Sequence, residues 1–149
     1  MQSDDPIIRP ARESDFAQWL PLWQGYQVFY RTSIPEPVTR TTWARFFDAA
    51  EPVHCLVAER EGKLIGLAHY LFHRSTWSVQ NTCYLNDLFV DPTGRRSGVA
   101  RKLIDAVYDA ADAAGISKVY WLTHDENAAA RLLYDQVARH RGFIRYERA

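Results

Sequence analysis

The sequence predicts a mixed α/β fold, a central sheet with helices on its faces, and three observations carry that reading. Apolar runs in the middle of the chain have strand length and are joined by a tight Glu61-Gly62 turn. Aromatic and aliphatic residues recur every three or four positions before residue 50 and after residue 98, which is helical spacing. The last half then runs strand, helix, strand, the order that makes a parallel crossover.

The elements follow in order. Ile7 to Arg9 reads as a short strand stopped by Pro10, and Ser14 or Asp15 is placed to cap a helix. That helix carries Phe16, Trp19, Leu20, Trp23, Tyr26 and Tyr30, with a kink or break expected at Pro21. "TSIPEPV" reads as a loop, and Thr39 to Ala50 as a second short helix with Trp43, Phe46 and Phe47 on one side. "VHCLVAEREGKLIGLAHYLFH" is a hairpin, and Thr82 to Val90 a third long strand. Val99 to Ala114 is an amphipathic helix ended by Gly115, where a left-handed residue is wanted. "KVYWLT" reads as a buried strand, "ENAAARLLYDQVARH" as a helix and "GFIRYER" as a final strand.

The bulk properties narrow the function. A chain of 149 residues is expected to be one domain. Acidic and basic residues balance at 18 each, so no global field favours nucleic acid or an anionic membrane. Cys55 and Cys83 lie in apolar runs without Cys-x-x-Cys spacing, which reads as buried thiols and not as a metal site. The acidic start "MQSDDPIIRP" lacks the apolar core of a signal peptide, and a cytoplasmic location is the expectation.

Chemistry concentrates at "DPTGRRSGVARK", between a strand and a helix. A helix N-terminus offers unsatisfied N–H groups and partial positive charge, which suit a phosphate. Arg95 and Arg96 add charge there, while Ser97, Gly98 and Ala100 keep the surface low. The turn has neither the Gly-Lys-Ser/Thr ending of a nucleoside triphosphate loop nor the Gly-x-Gly-x-x-Gly of dinucleotide sites, so a pyrophosphate site of another kind is indicated.

Arg95-x-x-Gly98-x-Ala100, after "LFVDP" and opening a helix, resembles the Arg/Gln-x-x-Gly-x-Gly/Ala signature of the GNAT superfamily of N-acetyltransferases. "IIRPARESDF" is similar to that family's first strand and helix start, and "ENAAARLLYDQVARHRGFIRY" to its last helix and strand. "YLNDLFV", with "LYDQVA" after "YWLTHDEN", resembles the branch of yeast histone and D-amino-acid acetyltransferases and the polyamine acetyltransferases. The resemblance implies that residues 1–149 form a single acetyltransferase domain. Its sheet would be mixed but mostly antiparallel, with two splayed parallel strands, Leu85 to Val90 and Val119 to Thr123. Acetyl-CoA would lie between them as acetyl donor, with no metal. Leu88, Phe89 and Val90 would pair with the pantetheine arm, and amides of Arg96, Ser97, Gly98, Val99, Ala100 and Arg101 would hold the pyrophosphate. Arg96 departs from the glycine common at that position.

The resemblance further implies an asparagine near the cofactor arm at Asn127 and a tyrosine near its sulfur at Tyr134, about two helical turns apart. Such a phenol can protonate the leaving thiolate; an amphipathic core tyrosine is the plain structural alternative. An amine acceptor must also lose a proton. Strand alternation puts Asn86 and Asp87 on opposite faces. Related polyamine enzymes carry glutamate at the position of Asn86, and an amide is no base, so Asn86 is left to orient water or bind substrate. Asp87 is a base through water or a structural pairing partner, and the sequence does not separate the two. His69, His73, His124 and Asp125 are the fallback bases. The acceptor site in similar families is shaped by the first two helices, which brings in Tyr26 and Tyr30 as core or cleft aromatics and Glu36 as a loop carboxylate.

The function expected is transfer of acetyl from acetyl-CoA to a primary amine of a small molecule or peptide, by direct attack in a ternary complex. The alternatives are a non-catalytic CoA-binding regulatory module and an acyltransferase using a longer chain. A homodimer is expected by resemblance alone; nucleic-acid and membrane partners are not.

Overall fold

The computed structural model describes residues 5–95 and 97–148. Five strands form one sheet in sequence order: β1 Ile7–Pro10, β2 Val53–Arg60, β3 Lys63–His73, β4 Thr82–Val90 and β5 Val119–Tyr120. All neighbours are antiparallel except β4 and β5, which are parallel. The helices are α1 Phe16–Phe29, α2 Glu36–Arg45, α3 Val99–Ala113 and α4 Ala128–Val137. The expected mixed sheet with flanking helices is thus present.

Two apolar layers hold it together, one on each sheet face. On one side α1 and the aromatic end of α2 supply Trp19, Leu22, Trp23, Trp43 and Phe46 against Val57, Leu67 and Phe89. On the other, Leu103, Ile104 and Val107 of α3 meet Leu56, Ala68 and Leu85, and α4 adds Leu133, Tyr134 and Val137. Adjacent residues such as Leu56 and Val57 go to opposite layers because successive strand side chains alternate. Trp19 is fully buried, and truncating it to alanine is expected to cost about 3–5 kcal/mol. Gly25 lets α1 cross close to the sheet, since a Cβ there would stand 2.9 Å from the Phe89 ring.

Several boundaries differ from the sequence reading. Pro21 does not break α1; the carbonyl it frees belongs to exposed Ala17, where water can bond it. Asp15 precedes α1 without capping it by a side-chain bond; instead its carboxylate accepts from the Arg12 amide at 2.7 Å and pairs with Arg9 at 2.8 Å. The Arg9 guanidinium accordingly holds the Asp15 carboxyl below its usual range. Helix α2 starts at Glu36 and not Thr39, because Pro37 sits in the first turn, where a missing N–H costs nothing. Strand β5 is half-buried and pairs only at Cys83↔Val119 and Tyr84↔Tyr120. "GFIRYER" is not a strand: no neighbour pairs with it among the described residues, and Phe143, Ile144 and Tyr146 are exposed.

Candidate active site

The site is organised by an irregularity in β4. The β3–β4 register runs His69↔Asp87 and then Tyr70↔Leu85, so Asn86 has no partner residue and forms a bulge. A bulge inserts a residue, bends the strand and resets its alternation. Cys83 and Leu85 face the α3 layer before it; Leu88 and Val90 face that layer after it, while Phe89 joins the α1 layer. Asn86 and Asp87 are therefore not on opposite faces as strict alternation required. The Asn86 amide instead donates toward Asp87 Oδ1 at 3.4 Å. Beyond the two pairs at Tyr84 and Cys83, β5 leaves β4, and the edge from Leu85 to Val90 has no strand partner among the described residues.

Asp87 stands at the centre of a polar chain running into the core. Its Oδ2 is 3.0 Å from His69 Nδ1, and the Trp19 indole N–H donates to His69 Nε2 at 3.0 Å. His69 is 3% exposed and is ringed by Trp19, Trp23 and Phe46. Both its ring nitrogens are engaged inside the protein, so it cannot meet an acceptor directly. The hydroxyl of Tyr26 approaches the Asp87 carboxylate, and burial, then that carboxylate, raises the Tyr26 pKa. Burial first and Asp87 second also raise that of Tyr30. Tyr26 stacks on Trp23 at 5.0 Å and touches Tyr30 at 4.7 Å, so these two expected acceptor-site aromatics do adjoin Asp87.

None of the other expected bases is bonded to Asp87 among the described residues. The His73 ring bridges the Arg74 carbonyl at 2.7 Å and the Tyr120 hydroxyl at 2.8 Å. His124 packs on Tyr30, and the Asp125 backbone carbonyl accepts from Arg131. Glu36 is not in a loop: it opens α2, is exposed and pairs with Arg40 at 2.9 Å.

Across the sheet edge lies a groove of about 590 Å³ between α3 and α4, lined by Val90, Arg95, Gly98, Ala100, Arg101 and Leu133 among others. Gly98 precedes α3 with φ +80, a left-handed conformation that side chains resist. The first helical bond of α3 is Lys102 N–H to Gly98 C=O at 3.0 Å, so the amides of Val99, Ala100 and Arg101 have no intrahelical acceptor. No side chain among the described residues caps them. That end fits an anion held by backbone amides. Ser97 is tied down, its hydroxyl donating to the Gly94 carbonyl at 2.6 Å and accepting from Arg60 at 3.2 Å. Arg95 is turned back on its own strand, donating to the Val90 carbonyl at 3.0 Å and lying over the Phe89 ring. Arg96 lies outside the described residues.

Asn127 precedes α4 as its cap position, its carbonyl accepting from the Arg131 amide at 3.0 Å and its side chain donating to Thr123 Oγ1 at 3.3 Å. Tyr134 is half-buried, edge-on to Trp121 at 5.4 Å, and burial pushes its pKa up to about 12. It is thus a phenol at neutral pH and able to donate. The sequence alone offers His69 only as a fallback base and Trp19 only as one of the spaced aromatics of the first helix. Their link to Asp87 needs the strand register, which no local pattern announces.

A sheet whose parallel strands part at a bulge, beside an uncapped helix N-terminus, is the architecture of an acetyl-transfer fold. It superposes with a TM-score of 0.85 on an aminoglycoside N-acetyltransferase in complex with CoA, covering 99% of this chain and 97% of that one at 18% identity. Residues 18–143 match the acetyltransferase (GNAT) family, and the chain belongs to it. It is 39% identical to a D-amino-acid N-acetyltransferase of Saccharomyces cerevisiae, over 99% of this chain and 93% of that protein. It is 34% identical to a thialysine N-epsilon-acetyltransferase of Mus musculus, over 85% and 79% respectively.

Proposed function

We propose that the chain is one acetyltransferase unit that uses acetyl-CoA to acetylate a small primary amine, with Asp87 on the acceptor side and Tyr134 on the thiol side. The observation that supports it is the bulge: it turns the Asp87 carboxylate to the same face as Asn86, the residue at the usual carboxylate position. It supports a catalytic reading where Asn86 alone, in place of a carboxylate, would favour the non-catalytic one.

Bound acetyl-CoA would supply a thioester whose carbonyl carbon the amine attacks, breaking the C–S bond. The amides of Val99, Ala100 and Arg101 would hold its pyrophosphate, together with those of Arg96, Ser97 and Gly98. The unpaired edge at Leu88, Phe89 and Val90 would receive the pantetheine amides as a strand would; with Arg95 Nε on the Val90 carbonyl, that acceptor is shared. Asn127 would border the arm. Asp87 attracts the acceptor's ammonium and takes its proton through water. The Tyr134 hydroxyl gives its proton to the departing sulfur, so free thiol and amide are the products.

For the acceptor, Tyr26, Tyr30 and Tyr84 surround the carboxylate with aromatic surface that suits a cation. The Arg145 guanidinium, paired with Glu147 at 2.7 Å, also reaches the Tyr84 hydroxyl. A carboxylate and a guanidinium near one tyrosine favour an amino-acid acceptor, in line with the names of both relatives. Glu36, paired within its own helix, is not assigned to binding. No helix of the described residues is long and apolar enough to cross a membrane, and a cytoplasmic location is proposed. A homodimer that covers Phe143, Ile144 and Tyr146 is also proposed, and sedimentation velocity of the native and Ile144→Asp chains tests it.

Thiol release from acetyl-CoA, with a panel of D- and L-amino acids, diamines and peptides, tests the function. Turnover is expected with amino acids, and Tyr134→Phe should lower kcat by about 100-fold or more. Tight CoA binding without turnover on any amine would restore the regulatory reading.

A further inference from the structure

We propose that His69 is a positioning residue of the transfer site, clamped by Trp19 so that it aims the Asp87 carboxylate into the cleft. The inference rests on the reading of Asp87 as the acceptor-side carboxylate and assigns what holds that group.

The orientation follows from donor chemistry. An indole nitrogen can only donate, so the Trp19 N–H at 3.0 Å requires a lone pair on His69 Nε2. The proton of the neutral ring therefore sits on Nδ1, 3.0 Å from Asp87 Oδ2, and is donated to it. Neither end of this chain can slide. Trp19 is 0% exposed and His69 3%, with Trp23 and Phe46 rings at 4.9 Å on the imidazole. Across the sheet ladder His69 is the direct register partner of Asp87, the pair immediately beside the bulge.

The consequence is a division of labour between the two carboxylate oxygens. Oδ2 is committed to the buried imidazole, while Oδ1 meets the exposed Asn86 amide at a long 3.4 Å. Oδ1 is the oxygen assigned to an ammonium or to the water that carries its proton, beside the Tyr26 hydroxyl that approaches the carboxylate. The groups near the carboxylate from other elements are the Tyr26 hydroxyl on α1 and Tyr30 at the C-cap of α1, with Tyr84 on β4 itself. A carboxylate on two single bonds would otherwise rotate. Positioning of this kind acts on the reaction step more than on binding of either substrate.

The test pairs two variants with one measurement on the native protein. Asparagine carries an N–H near the place of His Nδ1, and leucine carries none. His69→Leu is expected to lower kcat about 30-fold, with the KM for acetyl-CoA unchanged within about twofold, and His69→Asn to recover most of that loss. Long-range ¹H–¹⁵N spectra of the native protein should show the Nδ1–H tautomer for His69, a signature that does not depend on any variant folding. Equal losses in both variants, an undiminished kcat in His69→Leu, or an Nε2–H tautomer would each overturn the proposal. Asp87→Asn separates this from the parent reading. If it is fully active, the assignment of Asp87 fails and the proposal falls with it. If it is impaired while His69→Leu is not, the role of His69 alone is lost.

Discussion

The two sides of β4 are built on opposite terms. On the α1 side a chain of polar groups beside the bulge is already bonded: Trp19 to His69 and His69 to Asp87, with the Tyr26 hydroxyl close upon Asp87. On the α3 side the amides at the helix start and the strand edge from Leu85 are left open among the described residues. The first region is organised before anything binds. The second has its hydrogen bonds still to make, and an added ligand would complete both a strand and a helix terminus. A bisubstrate transferase gains from that asymmetry, because a chemical group must be held still while a carrier must enter and leave.

The open side breaks most readily at Gly98. Valine there would be forced to φ near +80, a strain of about 1–2 kcal/mol, and would bring bulk to the amides. Gly98→Val is expected to raise the KM for acetyl-CoA about tenfold or more while kcat at saturation stays within about threefold. An equal fall in kcat would show that the two sides are not separable.

The smallest effect is one of pH on stability. Burial pushes the pKa of Tyr70 and of Tyr134 up to about 12, and that of Cys83 up to about 11. Each folded value exceeds the unfolded one, so the fold favours the neutral form. The contribution is complete below the unfolded values and is lost as pH rises through the folded ones. Tm is therefore expected to hold steady to about pH 9 and decline from there to about pH 12, with tyrosinate absorbance at 295 nm appearing late in that window.

The sequence disclosed the parts of this molecule that follow local rules. Helical spacing located α1 and α3, the Glu61-Gly62 turn located the hairpin, and the Arg95-x-x-Gly98-x-Ala100 stretch located the start of α3. Its errors came where a distant partner decides. Strict alternation separated Asn86 from Asp87, and only the register with β3 reveals the bulge that joins them. "GFIRYER" has strand composition, yet a strand needs a neighbour, and β5 ends at Tyr120. Arg95 is a phosphate-ligand candidate from its position alone, and the sequence does not announce the Val90 carbonyl and Phe89 ring within its reach. Glu36 looked free in a loop until Pro37 proved to be a first-turn residue with Arg40 one turn on.

The central claim is that the bulge supplies the carboxylate that serves the acceptor. Steady-state kinetics of Asp87→Asn, with CoA affinity measured by calorimetry on the same sample, tests it most directly. The account predicts a kcat lower by about 100-fold and a CoA Kd unchanged within about twofold. A variant that acetylates as fast as the native protein would contradict it.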